Sequence, residues 1–211
     1  MLIDTRTAAF IAVDVQNDFC SGGALAVPDG DAVVRIVNGL AESFELCVAT
    51  QDWHPEGHAS FASAHPGARP FDPTRADGRE ATLWPDHCVR GTRGADFHPG
   101  LSLEPYRLIV RKGFRPELDS YSAFYENDGS TPTGLDGYLR GLGASTVVLA
   151  GLALDYCVYF SALDAARLGY SVFLVRDGCR AVGSPAGSVG RALADLSSRG
   201  VAIIDSVEVL R

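Results

Sequence analysis

What this chain has least of narrows the field first. It carries one methionine and two tryptophans, and it has no CxxC pair, no lysine and arginine cluster and no long apolar run. The longest largely apolar stretch, residues 146–154, is less than half the ~20 residues that a membrane-spanning helix needs. Asp4 and Arg6 interrupt the opening of the chain, and the apolar run after them is short and strand-like, so no signal-peptide pattern is visible. The 18 lysines and arginines are outnumbered by 26 aspartates and glutamates, a formal net charge of -8. Neither a nucleic acid nor an anionic membrane surface is therefore an expected partner. The five cysteines (Cys20, Cys47, Cys88, Cys157 and Cys179) are odd in number and widely spaced. That argues against a disulfide framework and for free thiols in a reducing compartment, by default the cytosol.

What is present suits a soluble globular chain. Its 211 residues are 46% hydrophobic and 21% charged, enough for one domain, 1–211, with a sizeable core. Neither an internal repeat nor a low-complexity linker divides it. Short apolar runs at 9–15, 46–50, 108–110, 146–149, 171–175 and 201–204 are continuously hydrophobic, as strands buried on both faces are. Between them lie helix-like stretches at 31–43, 134–142, 155–168 and 185–198. The alternation predicts an α/β fold, a three-layer αβα arrangement with a mainly parallel central sheet of about six strands. Two stretches, 53–98 and 113–132, carry turn residues and aromatics without a period, and long irregular segments of this kind are often functional.

In such sheets ligands bind beyond the carboxyl ends of the strands, so the residues ending each run matter most. The first run leads to Asp14, the second to Asp52, the third to Lys112 and the fourth, through a turn, to Cys157. Cys157 is placed in the first turn of a helix, where unpaired N–H groups favour a thiolate. For the other four cysteines a structural role is the simpler reading, since free cysteine is commonly buried. A lysine on a buried strand demands anionic partners, and a thiolate and a carboxylate would supply two. Asp52 and His54, two apart on an extended segment, with His87 further on, form a set suited to Zn, with Fe or Mn as alternatives. His58 is a further candidate; His65 and His98 read as structural or exposed. Phe19, Trp53, Trp84, Tyr121 and Phe124 offer aromatic surface for a flat ring, with Phe124 assigned to the core and Trp84 and Tyr121 to a pocket.

Six strings in order carry a resemblance. They are Val13-Asp14-Val15-Gln16-Asn17-Asp18-Phe19, Gln51-Asp52-Trp53-His54-Pro55, Leu83-Trp84-Pro85-Asp86-His87-Cys88-Val89, Lys112-Gly113, Asp119-Ser120-Tyr121-Ser122-Ala123-Phe124 and Gly151-Leu152-Ala153-Leu154-Asp155-Tyr156-Cys157-Val158. Together they resemble the nicotinamidases (pyrazinamidases) of the isochorismatase-like cysteine hydrolase superfamily. The resemblance implies a catalytic triad of Asp14, Lys112 and Cys157, and an oxyanion hole from the backbone N–H groups of Ala153 and Cys157 beside a cis Leu152–Ala153 bond. It implies one divalent metal on Asp52, His54 and His87, with His58 or Ser60 near a fourth position. Phe19, Trp84 and Tyr121 would bind the substrate, nicotinamide or pyrazinamide, in NAD salvage. Leu154 stands where the family usually has threonine. A homo-oligomer is compatible with the chain. The nearest rivals are other hydrolases of the superfamily, such as an isochorismatase or a ureido-group hydrolase, which generally lack the metal. A non-catalytic ligand-binding protein on the same fold would be expected to lack the nucleophile or the base, and both are present.

Overall fold

A computed structural model describes residues 3–76 and 78–209. In chain order the main elements are β1 (Ala9–Val13), α1 (Val33–Ser43), β2 (Leu46–Asp52), β3 (Pro73–Ala76), β4 (Arg79–Thr82) and β5 (Tyr106–Lys112). There follow α2 (Leu135–Gly141), β6 (Thr146–Leu152), α3 (Tyr159–Arg167), β7 (Ser171–Arg180), α4 (Ser188–Ser198) and β8 (Ala202–Ile204). Six strands form one sheet in the order β5-β2-β1-β6-β7-β8, and every pairing in it is parallel. The apolar runs become the middle strands because both faces are covered: every residue of β1 and β2 is buried. Helix α1 packs on β1, β6 and β7, while α3 and α4 pack on each other and on β7 and β8.

The strand order places the reversal of the chain at β1. From there the chain moves outward through β2 and β5, then returns to the other side of β1 as β6. Such a switch point leaves a crevice beyond the carboxyl ends of the central strands. Gly151 allows β6 to close on β1 there. Its φ is 127°, and a Cβ would lie 2.1 Å from the Val13 carbonyl oxygen.

Several boundaries differ from the sequence expectation. β1 stops at Val13, because Asp14 turns into the left-handed region with φ 47°. β2, β5 and β7 run longer than their apolar cores, reaching Asp52, Lys112 and Arg180. The stretch 53–98 contains an antiparallel hairpin, β3 with β4, whose β3 is mostly exposed and so has no apolar periodicity to reveal it. The helix expected from 155 begins as a π-turn, Leu154–Val158, in which the Val158 N–H reaches back to the Ala153 carbonyl, before continuing as α3. Leu154 itself is buried, 5% exposed.

Candidate active site

Four neighbouring strands deliver their ends to one place. Lys112 closes β5, Asp52 closes β2, Asp14 follows β1, and Cys157 lies in the π-turn after β6. Lys112, 1% exposed, is the hub. Its Nζ lies 2.9 Å from Asp14 Oδ2 and 3.0 Å from Asp52 Oδ1. It also donates to the Ser120 carbonyl at 2.9 Å and stands 3.4 Å from Cys157 Sγ. Instead of the thiolate and single carboxylate expected for Lys112, two carboxylates hold it and the sulfur stands further out.

The charges follow from this packing. Burial opposes the Lys112 ammonium, yet the Asp14 and Asp52 carboxylates hold it well above the ordinary lysine range. Burial pushes the Cys157 thiol well up; Lys112 pulls it back, and Asp14 and Asp52 push it up again. Burial thus opposes the thiolate that a helix-start position favours, and the sulfur calls for a base beside it. Burial also raises Asp14 against the pull of Lys112, which makes its carboxylate a stronger base. Thr50, unforeseen in the sequence, fixes that base: its hydroxyl donates to Asp14 Oδ1 at 2.6 Å and accepts the Asp14 N–H at 3.1 Å. Gln16 does the same for Asp52. Its side chain donates to the Asp52 carbonyl at 2.8 Å and accepts the Asp52 N–H at 2.8 Å.

Asp52 is shared between two groups. Its Oδ2 lies 3.1 Å from His54 Nε2 and 3.3 Å from His87 Nε2. Each ring's other nitrogen, Nδ1, lies against a backbone carbonyl, Gly113 at 2.9 Å and Pro85 at 2.8 Å. A carbonyl only accepts, so Nδ1 carries the hydrogen, and in the neutral rings both Nε2 lone pairs face a carboxylate oxygen. Lone pairs turned toward one another call for a cation among them. The charges agree: Asp14 and Asp52 outweigh the single Lys112, all three buried. Asp52, His54 and His87 therefore suit a divalent metal, their ligand atoms lying within 4.8 Å of one another. Gly113 completes the cradle, since with φ 66° it brings its backbone where a Cβ would meet His54 Cε1 at 2.5 Å.

His58 is turned differently. Its Nδ1 accepts the Ser60 N–H at 3.2 Å and lies 2.7 Å from Ser60 Oγ, so its proton sits on Nε2. In this arrangement neither His58 nor Ser60 joins the Asp52 set. Asp119, a residue the sequence analysis did not single out, comes within reach of His54 and His58 instead.

A small pocket joins the two groups. It is lined by Phe19, Trp84, Tyr121, Ala153 and Cys157 together with Asp52, His54 and His87, and also by Leu25, Asp119, Tyr156 and Val182. Asp14 and Lys112 lie buried behind it. Trp84 Nε1 donates to the Tyr121 hydroxyl at 3.0 Å, and Tyr156 packs edge-on to Trp84 at 4.7 Å. Trp53 is not part of this wall, its ring being covered by the Arg111 guanidinium at 4.0 Å. The Leu152–Ala153 bond is cis. Asp155 ties the turn carrying Cys157 to the segment carrying Val182, accepting N–H bonds from Val182 and Gly183, both 2.9 Å, and the Ser188 hydroxyl at 2.6 Å. No motif in the sequence pointed to Val182, because it reaches the pocket only through this tie.

Residues 8–208 match the family model described as "Isochorismatase domain". The chain is 45% identical over 205 residues to a nicotinamidase of Acinetobacter baylyi, covering 97% of this chain and 95% of the relative. Among solved structures, a nicotinamidase/pyrazinamidase of Acinetobacter baumannii superposes with a TM-score of 0.95 at 44% identity, covering 98% of this chain and 100% of that one. A pyrazinamidase of Pyrococcus horikoshii in complex with zinc superposes with a TM-score of 0.77 at 37% identity, covering 94% and 99%.

Proposed function

The chain belongs to the isochorismatase-domain family, and within it to the nicotinamidase group of amidohydrolases; from that premise we propose that it hydrolyses nicotinamide to nicotinate and ammonia through a Cys157 thioester. The observation that carries this reading is the single pocket in which Cys157, an aromatic wall and the Asp52/His54/His87 set meet.

In the proposed reaction Cys157 Sγ attacks the carboxamide carbon while its proton passes to Asp14. The backbone N–H groups of Ala153 and Cys157 steady the oxygen that gains charge. Asp14 returns the proton to the amide nitrogen, the C–N bond breaks, and ammonia leaves a nicotinoyl thioester on Cys157. Asp14 then draws a proton from water, the water oxygen attacks the thioester carbon, and nicotinate departs as the thiol regains its proton. Lys112, buried between Asp14 and Cys157, keeps a positive charge beside both throughout. A divalent metal held by Asp52, His54 and His87, zinc being the first choice in view of the zinc-bound relative, would supply a Lewis-acid anchor for the ring nitrogen. Phe19, Trp84 and Tyr121 would hold the ring, and pyrazinamide, with the same shape, would be a second substrate. A place in cytosolic NAD salvage follows from this substrate.

The test is release of nicotinate and ammonia from nicotinamide by the purified chain, with and without a chelator, alongside Cys157→Ala. Metal-dependent release abolished by the substitution is expected. Substantial turnover by Cys157→Ala would overturn the thioester scheme, and no release by the folded, metal-loaded chain would reject nicotinamide as substrate.

A further inference from the structure

The wall of the catalytic pocket contains an indole, Trp84, that is only 3% exposed although it fronts a cavity. Among the described residues four rings lie against it. Between centroids, Tyr156 is at 4.7 Å, Phe71 at 5.9 Å, Tyr121 at 6.3 Å and His87 at 6.4 Å. Tyr156, Tyr121 and His87 line the pocket themselves. Phe71 stands outside that lining, and the proposed reaction does not use it.

Phe71 is costly where it stands. Its φ is 71°, in the left-handed region that a bulky side chain enters only under strain. The residue is also 45% exposed, so little apolar burial offsets that strain.

The turn itself does not need a phenyl ring. Its ends are joined by the Asp72 N–H donating to the Arg69 carbonyl at 3.1 Å and the Arg69 N–H donating to Asp72 Oδ2 at 2.8 Å. The Phe71 N–H donates to the Leu83 carbonyl at 2.6 Å, and the Leu83 N–H donates to the Asp72 carbonyl at 3.0 Å. The turn is thereby hooked to the residue that precedes Trp84. Glycine at position 71 would keep every one of these bonds and carry no strain. What the phenyl ring adds is its contact with Trp84, nearly perpendicular at an interplanar angle of 81°. Edge-to-face pairs of this kind are favourable and directional.

We propose that Phe71 is a positioning residue for the substrate: its strained turn sets the phenyl ring against Trp84 from outside the pocket and fixes the plane of the indole that the substrate ring meets. Trp84 is then tied at its nitrogen, by the 3.0 Å bond to the Tyr121 hydroxyl, and braced on its ring by Phe71. The inference rests on the nicotinamide reading for the identity of that substrate ring.

Phe71→Gly removes the ring and the strain together and keeps the backbone bonds. A ring that merely covered surface would leave KM unchanged on removal. Positioning instead predicts that KM for nicotinamide rises about three- to tenfold, with kcat within about twofold because Asp14, Lys112 and Cys157 are untouched. Phe71→Tyr retains the ring and should retain the wild-type KM. A second readout is independent of turnover. In protein labelled with 5-fluorotryptophan the two tryptophans give two fluorine resonances, and Trp53, covered by Arg111, is the internal control. Phe71→Gly should shift and broaden the Trp84 resonance and leave that of Trp53 in place. An unchanged KM, or a Trp84 resonance indifferent to loss of the ring, would overturn the proposal. Phe71→Asn, whose side chain tolerates a left-handed backbone, takes the place of Phe71→Gly if the glycine variant does not fold. If the wild type hydrolyses no nicotinamide, the substrate reading falls by itself, and the fluorine spectrum alone decides whether Phe71 braces Trp84.

Discussion

Two places in this molecule gather the same kinds of side chain and do opposite things with them. Asp52, His54 and His87 form one set; Cys20, Asp31 and His98 form another, again with ligand atoms within 4.8 Å of one another. In the first, both histidines donate from Nδ1 to a carbonyl and turn Nε2 toward Asp52, bare when the rings are neutral. In the second, His98 Nδ1 accepts the Gly100 N–H at 3.0 Å, so Nε2 carries the proton and faces Asp31 Oδ1 at 3.3 Å. The other Asp31 oxygen is taken by the Ser21 N–H at 2.9 Å and by the Ser21 hydroxyl. Burial, and after it Asp31, pushes the Cys20 thiol up to about 11, away from the thiolate a metal needs. The second set is a closed hydrogen-bonded bracket. The lesson is that ligand types do not make a metal site; the tautomer does, and a backbone group on the far side of the ring chooses it.

The sharpest way to break this contrast is to delete the matching members. Asp52→Ala or His54→Ala should lower metal affinity by more than the ~10–100-fold that loss of an outer-shell partner costs, and turnover with it. Asp52→Ala should be the worse of the two, since it also strips Lys112 of one of its two carboxylates. Asp31→Ala and His98→Ala should leave one metal per chain and near-normal turnover, with a loss of only about 1 kcal/mol in stability. Elemental analysis of metal per chain, read alongside hydrolysis rates, checks this. Metal loss from the His98→Ala protein would show that the bracket is a ligand set after all.

A finer probe is the glycine beside each ring. Gly113→Ala places a Cβ 2.5 Å from His54 Cε1 in a left-handed backbone, whereas Gly100→Ala places one 3.2 Å from His98 Nδ1 with no such φ. The first should cost about 1–3 kcal/mol and weaken metal binding; the second should cost less than about 1 kcal/mol and leave the metal untouched. Denaturant unfolding with metal titration separates the two, and equal effects would deny Gly113 its place in the cradle.

The effect furthest from the metal is one of pH. The Cys20 thiol titrates at about 11 in the fold against an ordinary 9.0. The folded chain therefore binds the proton more tightly, and this stabilisation is complete below pH 9 and disappears as the pH rises toward 11. Serine does not titrate there, so the stability difference between wild type and Cys20→Ser should shrink across that window, by at most about 3 kcal/mol. A constant difference in unfolding free energy would show that Cys20 keeps its ordinary pKa.

Part of the candidate site could be read along the chain because parallel strands bring their carboxyl ends to one edge. Asp14, Asp52, Lys112 and Cys157 each follow an apolar run, buried in β1, β2 and β6 and partly exposed in the edge strand β5, so finding the runs places the four together. Residues that act through a side-chain bond had no such signal. Thr50 looks like any strand threonine until its hydroxyl meets Asp14, 36 positions earlier. Val182 follows a strand in no recognisable motif and enters the pocket wall through Asp155. The exposed hairpin of β3 and β4 escaped notice for a different reason, since β3 buries no face and so leaves no pattern.

The sequence by itself determined the alternation of buried strands and helices, the edge on which chemistry gathers, and the residue types that stand there, because these depend on local hydrophobic patterning. Only the tertiary structure decided which histidine nitrogens face Asp52 and how burial weighs against the thiolate of the nucleophile. The physical reason is that protonation depends on what lies across a gap of three ångströms or so. The group across it can be as distant along the chain as Gly113 is from His54, 59 positions apart.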